Sequence, residues 1–310
     1  MTIPATIKVF GHKSPDTDST GSPLIWAWYL SEVKGTPAEA KLLGEPNTEA
    51  AFVLERWGFE KPEIIDGVAA GDPVIIVDTN NPAELPDAIN EADIQAIIDH
   101  HKLVGGLETK GPIDITVRPL ACTATIMCDL MGDDAAKMTD QIKGAMLSCI
   151  LSDTLEFRSP TTTDHDKVLA EKLAADLGLS IPDYAAEMFA AKSDVSAFSD
   201  AELIRMDSKE YEVDGTSFRV SVLETTAPQI VLDRKASLIA SMTDVAAEDG
   251  VDQVLLFVVD ILNEEATLLV PNDLVKGVAE KSFGAAVSGD AVVLPGIMSR
   301  KKQIIPNLAV

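Results

Sequence analysis

Three short apolar runs stop abruptly at ionisable residues, and that punctuation constrains the fold more than any other feature of the chain. Thr6–Phe10 runs into Gly11-His12-Lys13-Ser14-Pro15-Asp16-Thr17-Asp18, Pro73–Val77 into Asp78-Thr79-Asn80, and Ile94–Ile98 into Asp99-His100-His101-Lys102. Buried strands that empty into polar loops, with amphipathic stretches between them, are the pattern of a parallel sheet covered by helices, in which ligands bind at the carboxyl ends of the strands. Helices are expected at Leu24–Val33, Thr48–Trp57 and Asp166–Leu177, the last behind Thr161-Thr162-Thr163-Asp164, which offers N-caps. Around Lys192-Ser193-Asp194-Val195-Ser196 the periodicity lapses into small polar residues. Beyond it lie strand-like runs at Phe218–Leu223, Gln253–Val259, Ala266–Val270 and Ala291–Leu294, with helical candidates at Arg234–Ala247 and Asp273–Phe283. The expectation is an α/β chain of two parts. An N-terminal parallel-sheet domain over residues 1–191 has helices on both faces, a hinge follows at 192–198, and a smaller mixed α/β domain covers 199–310. A length of 310 residues suits two domains, at roughly 150 residues each.

Charge narrows the function. Fifty Asp and Glu against 25 Lys and Arg leave a formal charge of −25, a field that repels nucleic acid and anionic membranes. An anionic substrate must then be held by a metal or by a few clustered cations. The apolar run Val254–Val259 is closed by Asp260, and nothing in the chain approaches the ~20 apolar residues of a membrane span. Lys8, Gly11 and His12 interrupt the N-terminus before a signal-like apolar core can form, so a cytoplasmic location is expected. Cys122, Cys128 and Cys149 are odd in number and lack C-x-x-C spacing, which reads as buried thiols rather than a disulfide framework or zinc ribbon.

Three of the four histidines fall in the two polar clusters after the first and third strands. Imidazole nitrogen with carboxylate oxygen suits Mn, Co, Zn or Fe, whereas an all-oxygen set would suit Mg or Ca. A further apolar segment, Leu147–Leu151, ends in Ser152-Asp153-Thr154. Each motif has a bland counterpart: a turn at Pro15-Asp16 with Asp18 capping a helix, an Asx-turn at Asp78, a solvated histidine pair. Together, His12, Asp16, Asp18, Asp78, His100 and Asp153 would put four carboxylates and two imidazoles at one sheet edge. Their mutual repulsion is resolved by a dinuclear metal centre with one bridging ligand. Asp99 is expected to orient a ligating imidazole. His165, read as a solvated first-turn residue at the helix start Asp164-His165-Asp166, is given no role, and Trp26, Trp28 and Trp57 are read as helix-packing residues.

The ordered set His12-x-x-x-Asp16-x-Asp18, Val77-Asp78, Asp99-His100-His101 and Ser152-Asp153-Thr154 resembles the DHH phosphoesterase superfamily. Within it, Ser159-Pro160-Thr161-Thr162-Thr163 and Ser299-Arg300-Lys301-Lys302-Gln303 resemble the family II, manganese-dependent inorganic pyrophosphatases. The resemblance implies that His12 and Asp16 hold one metal, that Asp18, His100 and Asp153 hold the other, and that Asp78 bridges both. It makes His101 the substrate-contacting histidine, and Lys209, Arg300 and Lys301 the phosphate-binding cations. His101, Arg300 and Lys301 would be catalytic. It further implies two Mn2+ (or Co2+) per site, Mg2+ with the substrate or as a weaker activator, and a homodimer. The implied reaction is hydrolysis of inorganic pyrophosphate to two orthophosphates by a hydroxide bridging two metal ions, with the second domain closing over the substrate. Thr79 departs from the family, which often has His after the bridging Asp. Two rivals stand beside this reading: a polyphosphatase or short-oligonucleotide nuclease of the same superfamily, and a metal-loaded phosphate sensor without turnover. The first is opposed by the acidity and by the absence of histidine from the C-terminal domain, residues 199–310, the second by the presence of every matched position.

Overall fold

The computed structural model describes residues 5–310. In the first unit, which runs to Ala191, six strands form one sheet: β1 (Ile7–Phe10), β2 (Ala38–Leu42), β3 (Glu63–Ile64), β4 (Pro73–Val77), β5 (Asp93–Asp99) and β6 (Asp114–Val117). Every pairing is parallel, and the order is β3-β2-β1-β4-β5-β6. Val74, Ile75, Ile76 and Val77 are all buried, so consecutive side chains that point to opposite faces are both covered, as a central parallel strand requires. The order reverses between β1 and β4, which opens a crevice beyond their carboxyl ends. The loops carrying His12 and Asp78 leave the sheet at that place.

The helices of this unit are α1 (Thr17–Trp28), α2 (Thr48–Arg56), α3 (Thr123–Met131), α4 (Asp140–Thr154), α5 (Asp164–Leu177) and α6 (Ile181–Lys192). Side chains cap α2, α4 and α5, the last at the Thr161–Asp164 run expected to offer N-caps. Asn47 accepts from Ala50 N at the start of α2, and Thr139 from Ile142 N at the start of α4. Thr163 and Asp166 form a reciprocal capping box at the start of α5. The helix expected at Leu24–Val33 instead begins at Thr17 and passes at Tyr29 into a π-turn ending at Val33. Thr17, Asp18, Ser19, Thr20 and Ser22 are buried polar residues, so apolar periodicity could not announce the first turns. Close packing explains two glycines: a Cβ on Gly11 would lie 1.9 Å from Ser19 Oγ, and one on Gly21 would lie 2.4 Å from Cys149 Sγ on α4. Cys122 and Cys149 are buried and Cys128 partly so, all as free thiols.

The second unit, from Lys192 onward, has five strands: β7 (Ser208–Val213), β8 (Thr216–Thr225), β9 (Gln253–Asp260), β10 (Glu265–Leu269) and β11 (Ala291–Pro295). Their order is β11-β10-β9-β8-β7, with β8 and β9 parallel and the other pairs antiparallel. Val254, Leu256 and Val258 face one core, with Leu203 and Ile204 of α7 (Asp200–Met206), Val231 of α8 (Pro228–Leu232) and Leu238, Met242 and Val245 of α9 (Lys235–Asp249). Leu255, Phe257 and Val259 face a second core with Val275, Val278 and Ala279 of α10 (Asp273–Phe283). The apolar run that is too short for a membrane is thus a central strand buried on both sides. Among the described residues, no helix is long and apolar enough to cross a membrane.

Residues 193–198 are bonded into the second unit. Ser193 Oγ lies 3.0 Å from Thr226 Oγ1, and the Arg234 guanidinium donates to the carbonyls of Val195 and Phe198 and to Asp200 Oδ1. The strands missing from the sequence reading are the least buried. Of β2 only Leu42 is fully buried, β3 and β6 are largely exposed, and β7 alternates at a sheet edge. Their polar residues carry little periodic signal.

Candidate metal centre

Three strand ends and two helix ends of the first unit supply the expected ligands. His12 follows β1, Asp78 follows β4, and His100 and His101 follow β5. Asp16 is the N-cap of α1 and Asp18 lies in its first turn. Asp153 does not come from the sheet edge; it stands in the last turn of α4. That corrects the expectation of a purely strand-end site, and the reason is local: Ile150 and Leu151 are buried by helix packing rather than by strand pairing.

Asp78 organises the cluster. Its Oδ2 lies 3.6 Å from His12 Nε2 and its Oδ1 lies 3.4 Å from His100 Nε2, so the two carboxylate oxygens face different imidazoles. His12 Nε2 is also 3.7 Å from Asp16 Oδ2, and His100 Nε2 is 3.9 Å from Asp153 Oδ2. Potential ligand atoms of His12, Asp16 and Asp78 all lie within 4.8 Å of one another, as do those of Asp18, His100 and Asp153, and those of Asp78, His100 and His101. Asp16 and Asp18 stand one residue apart in sequence yet join different groups. The start of α1 parts them, and Asp16 is both cap and cluster member: its Oδ1 accepts from Ser19 N while Oδ2 faces His12.

Surrounding bonds fix each group. Asp78 has φ +59°, in the left-handed region that Asp tolerates better than most residues, and its N–H donates to Ile98 O at 2.9 Å. Asp18 accepts from Ser22 Oγ at 2.6 Å and from Thr123 N at 2.7 Å. His100 Nδ1 sits 3.2 Å from Leu120 O, a bond that requires the proton on Nδ1 and leaves the Nε2 lone pair for a metal. Asp99 was expected to orient a ligating imidazole; it holds His101, accepting from its backbone N–H at 3.0 Å and lying 2.9 Å from its Nδ1. Asp99 also accepts from Asn80 Nδ2. Burial pushes the Asp99 carboxyl up, yet the bonds from His101 and Asn80 hold it below its ordinary range. The Asp99 bond raises His101 against the opposing effect of burial.

The donor set fits divalent cations. Asp78 is pushed well above the usual carboxylate range by burial and then by Asp18, Asp16, Asp153 and Asp99. Asp153 is raised by burial and then by Asp18 and Asp16. Its Oδ2 is buried with no hydrogen-bond donor. Cations between these groups would supply the missing partner and remove the repulsion. A cavity of about 530 Å³ opens beside His12 and His101, with Lys13, Asn80, Asn81 and Lys102 also in its wall.

The remaining expected residues belong to the second unit. Lys209 is on β7 and Arg300 and Lys301 open a short π-turn capped by Ser299. Arg300 donates from Nη1 to Asp207 O at 2.7 Å and from Nη2 to Asp207 Oδ1 at 2.8 Å, which fixes it two residues from Lys209 in sequence. Thr79 is buried, and its hydroxyl donates to Glu84 Oε2 at 2.7 Å. His165 lies outside the three groups, 2.8 Å from Asp129 Oδ1. Sequence reasoning missed Asn80, Thr123 and Glu49. Glu49 in particular reads as an ordinary acidic first-turn residue, although it is completely buried.

Residues 6–152 match the DHH family, N-terminal domain, and residues 186–309 match the DHHA2 domain. A Deinococcus radiodurans protein described as a "Probable manganese-dependent inorganic pyrophosphatase" is 41% identical over 307 residues, covering 97% of each chain. The chain belongs to the family II, manganese-dependent inorganic pyrophosphatases. The family member from Methanocaldococcus jannaschii, described as a manganese-dependent inorganic pyrophosphatase, is 36% identical over 309 residues, again with 97% of each chain covered. A solved structure described as a "Methanococcus jannaschii putative family II inorganic pyrophosphatase" aligns with a TM-score of 0.61 and 35% identity over 98% of both chains. An exopolyphosphatase-related protein from Bacteroides fragilis shares the fold at a TM-score of 0.51 and 11% identity, covering 96% of this chain and 89% of that one.

Proposed function

We propose that this chain hydrolyses inorganic pyrophosphate to two orthophosphates with manganese as its cofactor. The observation that carries the reading is Asp78, whose two oxygens face His12 on one side and His100 on the other. His12 and Asp16 would hold one ion, Asp18, His100 and Asp153 a second, and Asp78 would bridge them. Bound there, two such ions supply an acidified water and neutralise charge on the phosphoryl group. The protein's own part is positional and protonic. Leu120 O holds the proton of His100 on Nδ1, so Nε2 keeps its lone pair. Asp99 grips His101 at Nδ1 and keeps it protonated to higher pH, so its half-exposed Nε2–H can donate to a phosphate oxygen. Arg300, a planar fork, and Lys209 and Lys301, mobile point charges, are the phosphate-binding cations by family resemblance.

The same reading assigns a homodimer acting in the cytoplasm, with Co2+ able to replace Mn2+ and Mg2+ accompanying the substrate. Support for self-association comes from β6, the outermost strand of its sheet, which leaves Ile115 56% and Val117 38% exposed. The test is phosphate release by metal-stripped protein, with Mg2+ alone and after Mn2+ or Co2+, on pyrophosphate, short polyphosphate and a short oligonucleotide. Strong release from pyrophosphate after Mn2+ or Co2+ loading is expected. Release mainly from the longer chains would make this a polyphosphatase or nuclease, and silence on all three with tight metal binding would make it a sensor.

A further inference from the structure

Glu49 is a carboxylate with no exposed surface at the second position of α2. A single oxygen, Oε2, accepts from Thr17 Oγ1 at 3.0 Å and from Ser152 Oγ at 2.7 Å. Thr17 stands between Asp16 and Asp18 on α1, and Ser152 immediately precedes Asp153 on α4. The two helices that carry three of the six cluster members are therefore joined, at the residues beside those members, through one buried acceptor on a third helix. A carboxylate oxygen is the strongest side-chain acceptor for two hydroxyls at once, and burying it is costly unless those bonds are made. An apolar residue would fill the same space but leave both hydroxyls without this acceptor.

We propose that Glu49 is a positioning residue of the metal centre, setting the separation of Asp16 and Asp18 from Asp153 by clamping Thr17 to Ser152. This rests on the reading of that cluster as a manganese site. A clamp of this kind acts on metal affinity; removing a hydrogen-bond partner of a ligand itself typically costs about 10–100-fold, and Glu49, which grips the residues beside the ligands, falls at the low end of that range.

The experiment is Mn2+ titration against a chromophoric chelator, beside thermal melts of the metal-stripped protein, for wild type, Glu49→Leu, Glu49→Gln and the double variant Thr17→Val/Ser152→Ala. Glu49→Leu is expected to weaken Mn2+ binding by about 10-fold, Glu49→Gln to stay at the wild-type value because its carbonyl oxygen can accept both bonds, and the double variant to reproduce the loss with Glu49 still present. Wild-type affinity in folded Glu49→Leu overturns the proposal, as does a lowered melting temperature with unchanged Mn2+ affinity, which marks a purely structural role. If Glu49→Leu does not fold, the double variant decides: unchanged affinity there overturns the clamp. Failure of the wild type itself to bind Mn2+ would instead sink the reading of the cluster on which the proposal rests.

Discussion

The two units hold their charged groups in opposite ways. In the first, the clustered carboxylates and imidazoles are buried or half-buried apart from the exposed His101, and hydrogen bonds tie them down: Asp18 accepts from Ser22 Oγ and Thr123 N, the Asp78 backbone N–H donates to Ile98 O, His100 Nδ1 donates to Leu120 O, and Asp99 holds His101. In the second, of the three cations read as phosphate binders, Lys209 and Lys301 are exposed and Arg300 is held by Asp207. The difference follows from the ligands each side is read to bind. A small divalent ion tolerates little error in ligand position, so its site is pre-organised. A phosphate oxygen can be met by a flexible ammonium.

Removing Asp78 breaks this contrast most severely. Asp78→Ala should abolish pyrophosphate hydrolysis to background and weaken Mn2+ binding beyond the roughly 10–100-fold loss typical of an outer hydrogen-bond partner; equilibrium dialysis with phosphate release checks both. Arg300→Lys should lower kcat/KM by about 10²-fold, the scale of one lost oxyanion donor, while Mn2+ affinity stays at the wild-type value. A fall in Mn2+ affinity in that variant would erase the division of labour between the units.

Asp99→Asn sharpens the contrast through pH. His101 is raised by its bond to Asp99, so its proton is kept to higher pH in the intact protein. Without the carboxylate the proton leaves at lower pH, and the basic limb of kcat/KM should move toward acid. A limb that stays in place would remove His101 from the account. The smallest effect is expected from Asp207→Asn, which keeps one carbonyl acceptor and the backbone bond to Arg300 and should change KM by only a few-fold with kcat intact.

Half of the six-member cluster was legible because its residues follow strands whose apolar runs are unambiguous: Val9 and Phe10 before His12, Val74–Val77 before Asp78, Ile97 and Ile98 before His100. The order β3-β2-β1-β4-β5-β6 explains how loops separated by more than sixty residues meet, and no local pattern encodes it. What escaped reading was polar and buried. The first turns of α1 bury Thr17, Ser19, Thr20 and Ser22 to hold the cluster rather than to fill a core, so their apolar periodicity is absent. Glu49 was invisible because its partners lie 32 and 103 residues away. Edge strands such as β6 lack the burial that makes strands readable.

The central claim is that Asp78 joins two metal ions in one site. Electron paramagnetic resonance of protein loaded with Mn2+ to saturation tests it most directly. An exchange-coupled Mn2+ pair that disappears in Asp78→Ala is the predicted result; the hyperfine pattern of isolated Mn2+ in the wild type, with pyrophosphate hydrolysis undiminished, would contradict it.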